Sequence, residues 1–598
     1  MGTITASAPK IAGGSFLIEE RAPGEVFTPE DFSEEHRQIA RTTEEFASRE
    51  IVPVLDRIEH KDWTLTRELI RKASELGLTS VDIPERYGGM ELDKVSSAII
   101  ADRIAANGSF SVSFGGHVGI GMLPIAWFGT EPQKRKYLPK LASGEWIGAY
   151  ALSEASSGSD ALNCRARATL SSDGKHYLLN GEKMWITNAG FADVFTVFAK
   201  VDGEKFSAFI VERNFPGLAI GAEEHKMGIR GSSTCPLILN DCQAPVENLL
   251  GEIGKGHIIA FNILNVGRFK LGAACAGGAR CSLQHALSYA KQRKAFGKTI
   301  SEFGLIREKL ADIATGIYAL ESMVYRTAGM IDVALSQIDK AGGETASEIR
   351  QNIEEYAVEC SIIKVAGSEI LDGIVDHVVQ IYGGYGFVEE YLPERAYRDS
   401  RVNRIFEGTN EINRLIITGW VLKRAMNGQL PLLPAIKKLM DEILSGSGLA
   451  EPLEGPLAAE RMMVANAKEA ALFAAGVASQ KYLHALADQQ EIMGALADMI
   501  IETYAMESCL LRSLKAFERD GESGAALMVA MTQVYLTGAM ERLGAAARKV
   551  IAAAAEGDTL RTHMAVLRRL FKYEPLNTVA LRQHIAERAL EAGRYTVS

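Results

Sequence analysis

The string RIFEGTNEI, residues 404–412, sets one carboxylate, Glu407, directly before Gly408. A carboxylate can act as a general base when a reactive C–H is brought within reach of it. A glycine beside it lets a flat cofactor or a thioester come close, because no Cβ stands in the way. Four further stretches suit such chemistry. YALSEASSGSD (150–160) offers hydroxyls and backbone donors to a ring edge or a phosphate. In KMWITNA (183–189), Trp185 and Thr187 alternate, so on a strand they share a face and set a large ring beside a hydroxyl. In YAKQRKAFGK (289–298), Arg293 can pair with a diphosphate and Phe296 can cover an adenine. QIYGGYGF (380–387) supplies a glycine turn between two helical runs. Each stretch also has a plain structural reading: a solvated glutamate, a serine-rich turn, a core tryptophan, a helix-end cation.

The elements that must hold these residues follow from hydrophobic periodicity. Residues 1–27 read as a flexible lead-in. Thr28 then caps a helix whose first turn holds Pro29, Glu30 and Asp31, and helical spacing continues through 28–145 with breaks at Pro53, Pro84–Gly89 and Gly108. Over 146–257 the pattern becomes short β-rich runs parted by Asp173-Gly174, Asn180-Gly181 and Asp202-Gly203, which predicts a small antiparallel β-domain or barrel. Long amphipathic helices return over 258–430, as at Ile306, Leu310, Ile313 and Ile317. Residues 431–456 read as a linker centred on SGSGLAEPLEGP, followed by a separate helical domain over 457–598. The apolar spacing there, Ile492, Leu496, Met499, Ile500 and Met506, fits either a bundle core or a face for peripheral membrane contact.

Composition narrows the function classes. With 598 residues, 47% hydrophobic and 23% charged, the chain has the make-up of a multidomain globular protein. A net charge of -10 argues against a nucleic-acid coat, which needs a basic surface. No run of about 18 residues reads as apolar enough to span a bilayer, and no signal pattern opens the chain. The expected location is therefore cytoplasmic, with the inner face of a membrane as the alternative. The 7 cysteines form no CxxC pair or Cys/His ligand spacing, so reduced thiols and no metal site are expected. No GxGxxG follows a strand and opens a helix, which removes support for a Rossmann-bound cofactor.

Taken in this order and at these separations, YALSEASSGSD, KMWITNA, QRKAFGK, QIYGGYGF and RIFEGTNEI resemble the acyl-CoA dehydrogenase family over about residues 30–430. ILNVGRFK (263–270), FGTEPQKRKYLPKLASGE (128–145) and the added helical domain resemble its very-long-chain branch. The resemblance implies a mainly α fold with a central β-domain: an N-terminal helical domain, a middle β-barrel, a C-terminal four-helix bundle and an extra C-terminal helical domain.

It also implies FAD-dependent α,β-dehydrogenation of acyl-CoA, with Glu407 as the base. Gly408 would lie beside the thioester, and Thr409 and Glu411 near FAD. Tyr150, Leu152, Ser153, Gly158, Ser159, Trp185 and Thr187 would contact FAD, Ser159 touching substrate as well. Arg293, Phe296, Gln380, Gly383 and Gly384 would reach FAD from a neighbouring subunit, and Asn265 and Arg268 would help bind CoA. Ala155 stands where the family carries proline, and Ser153 where it carries threonine; both bear on the stiffness of the loop. Some relatives place their base at the position of Gly267, and glycine cannot serve as one. Gly115 stands where the medium-chain branch has a larger acidic residue, which implies a deeper pocket and long to very long acyl chains. Electrons would pass to an electron-transfer flavoprotein, and the protein would be a homodimer. The rival readings are an acyl-CoA oxidase and a non-catalytic scaffold on the same fold.

Overall fold

The computed structural model describes residues 10–338, 345–445 and 453–597. Helices α1 (Glu34–Phe46), α2 (Leu55–Glu59), α3 (Trp63–Glu75), α4 (Lys94–Arg103), α5 (Gly108–Gly115), α6 (Leu123–Phe128) and α7 (Glu131–Ala142) form the first unit. Thr28 caps no helix: its N–H and hydroxyl donate to Asp31 Oδ2 at 2.8 and 3.2 Å, and the turn Pro29–Asp31 is only 3-10. Phe32 then turns extended and packs against Tyr325, so the helix starts afresh behind Ser33, whose Oγ accepts from His36 N at 3.1 Å. The lead-in is fixed rather than flexible from residue 10 onward. Gly13 and Gly14 N–H donate to Glu355 and Glu359 at 2.8 and 2.7 Å, and Phe16 and Leu17 are buried. Residues 1–9 lie outside the described residues.

The middle unit holds β1 (Gly148–Ala151), β2 (Arg167–Leu170), β3 (His176–Thr187), β4 (Val194–Val201), β5 (Lys205–Glu212), β6 (Leu218–Ile220), β7 (Thr234–Pro245) and β8 (Leu249–Leu250). They pair in the order β6-β7-β3-β2-β4-β5-β8, with β1 alongside β4. The sheet is mixed, since β1 and β2 both run parallel to β4, and its pairing path is open rather than a closed barrel. Asn180-Gly181 makes no hairpin. It is a bulge within β3, where Gly181 takes φ +144, and a second register shift falls between Lys183 and Ile186.

The bundle comprises α8 (Gly256–Gln292), α9 (Gly304–Ser336), α10 (Thr345–Glu355), α11 (Ala357–Tyr382), α12 (Leu392–Ser400) and α13 (Asn410–Met426). A two-residue ribbon, β9 (Lys294–Ala295) and β10 (Lys298–Thr299), follows α8. By length and composition alone Gly108–Phe128 and Gly256–Gln292 are apolar enough to cross a membrane, contrary to the sequence expectation. Their apolar windows are 72% and 67% buried in the protein core, which accounts for their composition.

The stretch taken as a linker is mostly helix. In α14 (Leu432–Ser445), Leu432, Ile436 and Leu439 recur at helical spacing and bury themselves, which outweighs the neighbouring glycines; residues 446–452 lie outside the described residues. Helices α15 (Ala458–Tyr482), α16 (Gln490–Ala554, turning at Gly521), α17 (Gly557–Leu570) and α18 (Thr578–Ala592) complete the chain. This last unit is not separate. Arg512 reaches Glu30 at 2.6 Å and Glu321 at 3.2 Å, Arg326 reaches Glu507 at 2.6 Å, and Thr418 Oγ1 donates to Met493 O at 2.8 Å. Ile492, Leu496, Met499, Ile500 and Met506 are all buried, so the bundle-core reading is the one realised.

Candidate active site

Glu407 stands in the short loop between the 3-10 turn Arg401–Arg404 and α13. The loop turns on two left-handed residues in a row, Glu407 at φ +57 and Gly408 at φ +81. A glutamate held there carries about 1–3 kcal/mol of backbone strain and persists only where its surroundings over-determine it. They do. Arg268 Nε donates to Glu407 O at 3.1 Å, Lys364 Nζ to Gly408 O at 2.8 Å and to Asn410 Oδ1 at 2.7 Å, and Asn413 Nδ2 to Gly408 O at 2.8 Å and Thr409 O at 3.0 Å. Thr409 Oγ1 accepts from Ile412 N at 3.2 Å and so caps α13.

The side chain is left free by this clamp on its backbone. Glu407 Oε2 is buried and has no hydrogen-bond partner among the described residues. Removal from water pushes its pKa up to about 6, against the opposing pull of the Arg268 and Lys364 charges. A carboxylate tuned toward neutrality, unpaired and at the end of an apolar cleft is equipped to take a proton from carbon. We expect kcat/KM to rise with unit slope below about pH 6 and to level off above it, as the free carboxylate replaces the acid. A pH–rate profile with no break between pH 5 and 7 would contradict this.

The cleft is lined at its head by Glu407, Phe406, Thr187 and Gly267, and farther in by Ile100, Ile104, Gly115, Val118, Leu271 and Ala274, around a volume of about 110 Å³. A Cβ on Gly267 would lie 2.5 Å from Glu407 Oε2, so α8 must be bare at that point for the carboxylate to fit. A Cβ on Gly115 would meet nothing within 4 Å, since it faces the cleft.

The other expected residues fall into two groups. Tyr150, Leu152, Ser153, Gly158 and Ser159 run from β1 into the loop beside β3, with Ser153 O accepting from Met184 N at 2.9 Å. The Tyr150 hydroxyl is buried without a hydrogen-bond partner among the described residues, and its pKa is raised by burial and by the Glu407 charge. Trp185 is 57% exposed and sits at φ +58 in the second bulge of β3. Ile186 is buried between the exposed Trp185 and the half-buried Thr187, while the irregularity falls just before them, where Lys183 and Ile186 are both buried three positions apart. The second group, Arg293, Phe296, Gln380, Gly383 and Gly384, lies on an exposed face and contributes nothing to the Glu407 cleft. Phe296 (95% exposed, φ +51) and Gly297 (φ +81) form the tip of the β9–β10 ribbon. Arg293 lies over the ring of Tyr385 at 5.5 Å.

Asn265 and Arg268 are both 5% exposed; Arg268 Nη1 donates to Asn265 Oδ1 at 2.8 Å, and the pair braces the Glu407 loop. Glu411 is exposed on the first turn of α13. Sequence reasoning missed Lys364, 43 positions before Glu407 on another helix, and missed Asn410, inside the motif, and Asn413, the residue after it. It also missed the buried pair Glu154–Lys183 (2.6 Å), whose Glu154 accepts from Arg165 N and Ala166 N. That pair stiffens the 152–161 loop and makes good the absent proline at Ala155.

An unpartnered carboxylate at the head of an apolar cleft, with an exposed tryptophan and unpartnered polar atoms alongside, is an arrangement that can take a proton from carbon in an apolar substrate. The comparisons with known proteins agree. Acyl-CoA dehydrogenase family models match in order: the N-terminal domain over 33–145, the middle domain over 149–242, and two C-terminal domain models over 254–422 and 466–569. A probable acyl-CoA dehydrogenase of Bacillus subtilis is 50% identical over 98% of both chains. The human mitochondrial very long-chain specific enzyme is 36% identical over 82% of this chain and 76% of its own. The structure of an acyl-CoA dehydrogenase complexed with FAD from Bacillus anthracis superposes with TM-score 0.97 at 50% identity, covering 98% of this chain and 100% of that one. The chain belongs to the acyl-CoA dehydrogenase family.

Proposed function

We propose that this protein is an FAD-dependent acyl-CoA dehydrogenase acting on long to very long acyl chains and passing its electrons to an electron-transfer flavoprotein. The unpartnered Glu407 carboxylate at the head of the cleft carries the reading. Glu407 takes a proton from the carbon next to the thioester carbonyl. Because that C–H is a weak acid, the step needs preorganised donors for the charge that gathers on the carbonyl oxygen, and the Glu407 N–H, held in the strained loop, would serve as one. FAD, when bound, supplies the acceptor for the hydride leaving the next carbon. Trp185, Thr187, Ser153 and the exposed Gly158–Ser159 tip suit a ring and its phosphate tail. Arg293, Phe296, Gln380, Gly383 and Gly384 would hold the far end of an FAD bound in a second copy of this chain. The strongly exposed Phe296, Phe387 and Leu305 support a partner on that face.

Chain length is argued from the cleft. Beyond Ala274 it meets a wider chamber of about 770 Å³, the two sharing Ser111, Val112, Leu271 and Ala274 as walls. Along α8 the lining runs from Gly267 to Cys281 and beyond, about 21 Å at the rise of an α-helix. An extended acyl chain advances about 1.3 Å per carbon from ordinary bond geometry, so about sixteen carbons fit. The test is a chain-length profile with an artificial acceptor. Activity should peak above C12, and a peak at C4 to C8 would overturn the assignment. Filling the open space at Gly115 by Gly115→Leu should cut kcat/KM for palmitoyl-CoA by about 10–100-fold and leave octanoyl-CoA near its original value. Stoichiometric H2O2 during turnover in air would move the reading to an oxidase.

A further inference from the structure

The far chamber differs in chemistry from the throat beside Glu407. The throat is apolar: Val81, Ile100, Ile104, Val118 and Leu271 face it. Past Ala274 the walls become charged, with Arg37, Arg41 and Glu44 on one face of α1, Arg103 at the end of α4, and Arg594 beside Tyr595 at the C-terminal end of the chain. Several of these charges are already engaged. Arg41 donates to Glu34 at 2.6 Å and Arg103 Nη1 to Glu44 at 2.8 Å. Arg103 Nε is buried with no hydrogen-bond acceptor. Arg594 is exposed and, among the described residues, has no hydrogen bond or ion pair.

The added C-terminal unit builds this end of the cavity. Helix α18 is held by Arg582 to Asp312 (2.6 Å) and by Lys291 to Leu590 O (3.2 Å). At Gly593 the chain takes φ +66, ends the helix, and lays Arg594 and Tyr595 along the chamber wall. Tyr595 is 7% exposed, and its hydroxyl is buried without a hydrogen-bond partner among the described residues.

A methyl-terminated tail can lie along the apolar part of this wall, at Val112, Leu371 and Val375, but it makes no use of the guanidinium groups, which are costly to strip of water. An anionic tail end would find guanidinium donors there, since six arginines line the chamber against Glu44, Asp102 and Asp399, and Arg594 is the unengaged one among the described residues. We propose that the chamber is a subsite for the far end of the acyl chain, and that Arg594 selects long acyl-CoA thioesters whose ω-carbon carries a carboxylate. The substrate class is the monothioester of a long-chain dicarboxylic acid. This rests on the acyl-CoA dehydrogenase reading above.

The test compares hexadecanedioyl-CoA, esterified at one end, with palmitoyl-CoA on the FAD-loaded full-length protein. Arg594→Ala should lower kcat/KM for the ω-carboxylate substrate about fivefold, the scale of an exposed ion pair, and Arg594→Glu should lower it further. Palmitoyl-CoA should stay within about twofold in both variants. Arg594→Lys should recover most of the loss, and the difference between substrates should shrink in 0.5 M salt as screening grows. Equal effects on both substrates, or none, would overturn the subsite. Turnover of palmitoyl-CoA without turnover of the diacid thioester would overturn it alone, leaving the dehydrogenase reading in place. No turnover of either would overturn both.

Discussion

Replacing Glu407 with glutamine is expected to lower kcat by about 10⁴-fold or more, the upper range for removing a general base, while FAD content and acyl-CoA affinity stay near those of the parent. The same substitution should make the protein more stable at neutral pH. The sign follows from the raised pKa. A carboxyl whose pKa climbs from 4.5 unfolded to about 6 folded binds its proton more tightly in the native state, so its contribution to stability falls as pH rises through that window. Above pH 6 the ionised Glu407 costs about 2 kcal/mol by that linkage, and glutamine removes the cost. Thermal melts of both forms should therefore coincide near pH 4.5, with the variant higher at pH 7.5. A variant that keeps full turnover would take Glu407 out of its role. A variant less stable at both pH values would show that the carboxylate is structural.

The second large effect is at Gly267. A methyl group there would stand 2.5 Å from Glu407 Oε2 and 2.9 Å from Cδ, closer than van der Waals contact allows. The helix cannot yield, because Arg268 and Asn265 on the same turn are buried and tied to the Glu407 loop. The carboxylate must move instead. Displacement of a base by about 1 Å is enough to cost about 10²-fold, so Gly267→Ala should reduce kcat by that order with FAD content unchanged. Alanine is otherwise the best helix former, and the variant should fold at least as well as the parent. Near-normal kcat in Gly267→Ala would mean that Glu407 works from a position other than the one seen.

What the sequence could and could not tell follows from the range of each signal. The base, the glycine beside it and the flanking Ser-rich and aromatic motifs are local strings, and the three-part α–β–α order shows in the change of hydrophobic period. The clamp on the base is not local. Lys364 reaches Gly408 from another helix, and no spacing rule connects the two. Arg268 stands 139 positions before Glu407, and nothing in its own motif shows that its guanidinium reaches Glu407 O. The first bulge in β3 arises where Asn180-Gly181 looked like a hairpin turn, because pairing with β7 on both sides of the dipeptide outweighs its turn propensity. The lead-in and the linker misled for a related reason. Short polar and glycine-bearing stretches look unstructured until a tertiary surface is present, and here Glu355 and Glu359 supply one for Gly13 and Gly14.

The most direct test of the central claim is an anaerobic titration of the purified protein with palmitoyl-CoA, followed through the visible flavin absorption. The account predicts bleaching of the flavin band with a long-wavelength charge-transfer band growing in, complete near one equivalent per site, and absent in Glu407→Gln. A flavin that stays oxidised with palmitoyl-CoA but bleaches with butyryl-CoA would contradict the long-chain assignment, and one that responds to neither would contradict the dehydrogenase itself.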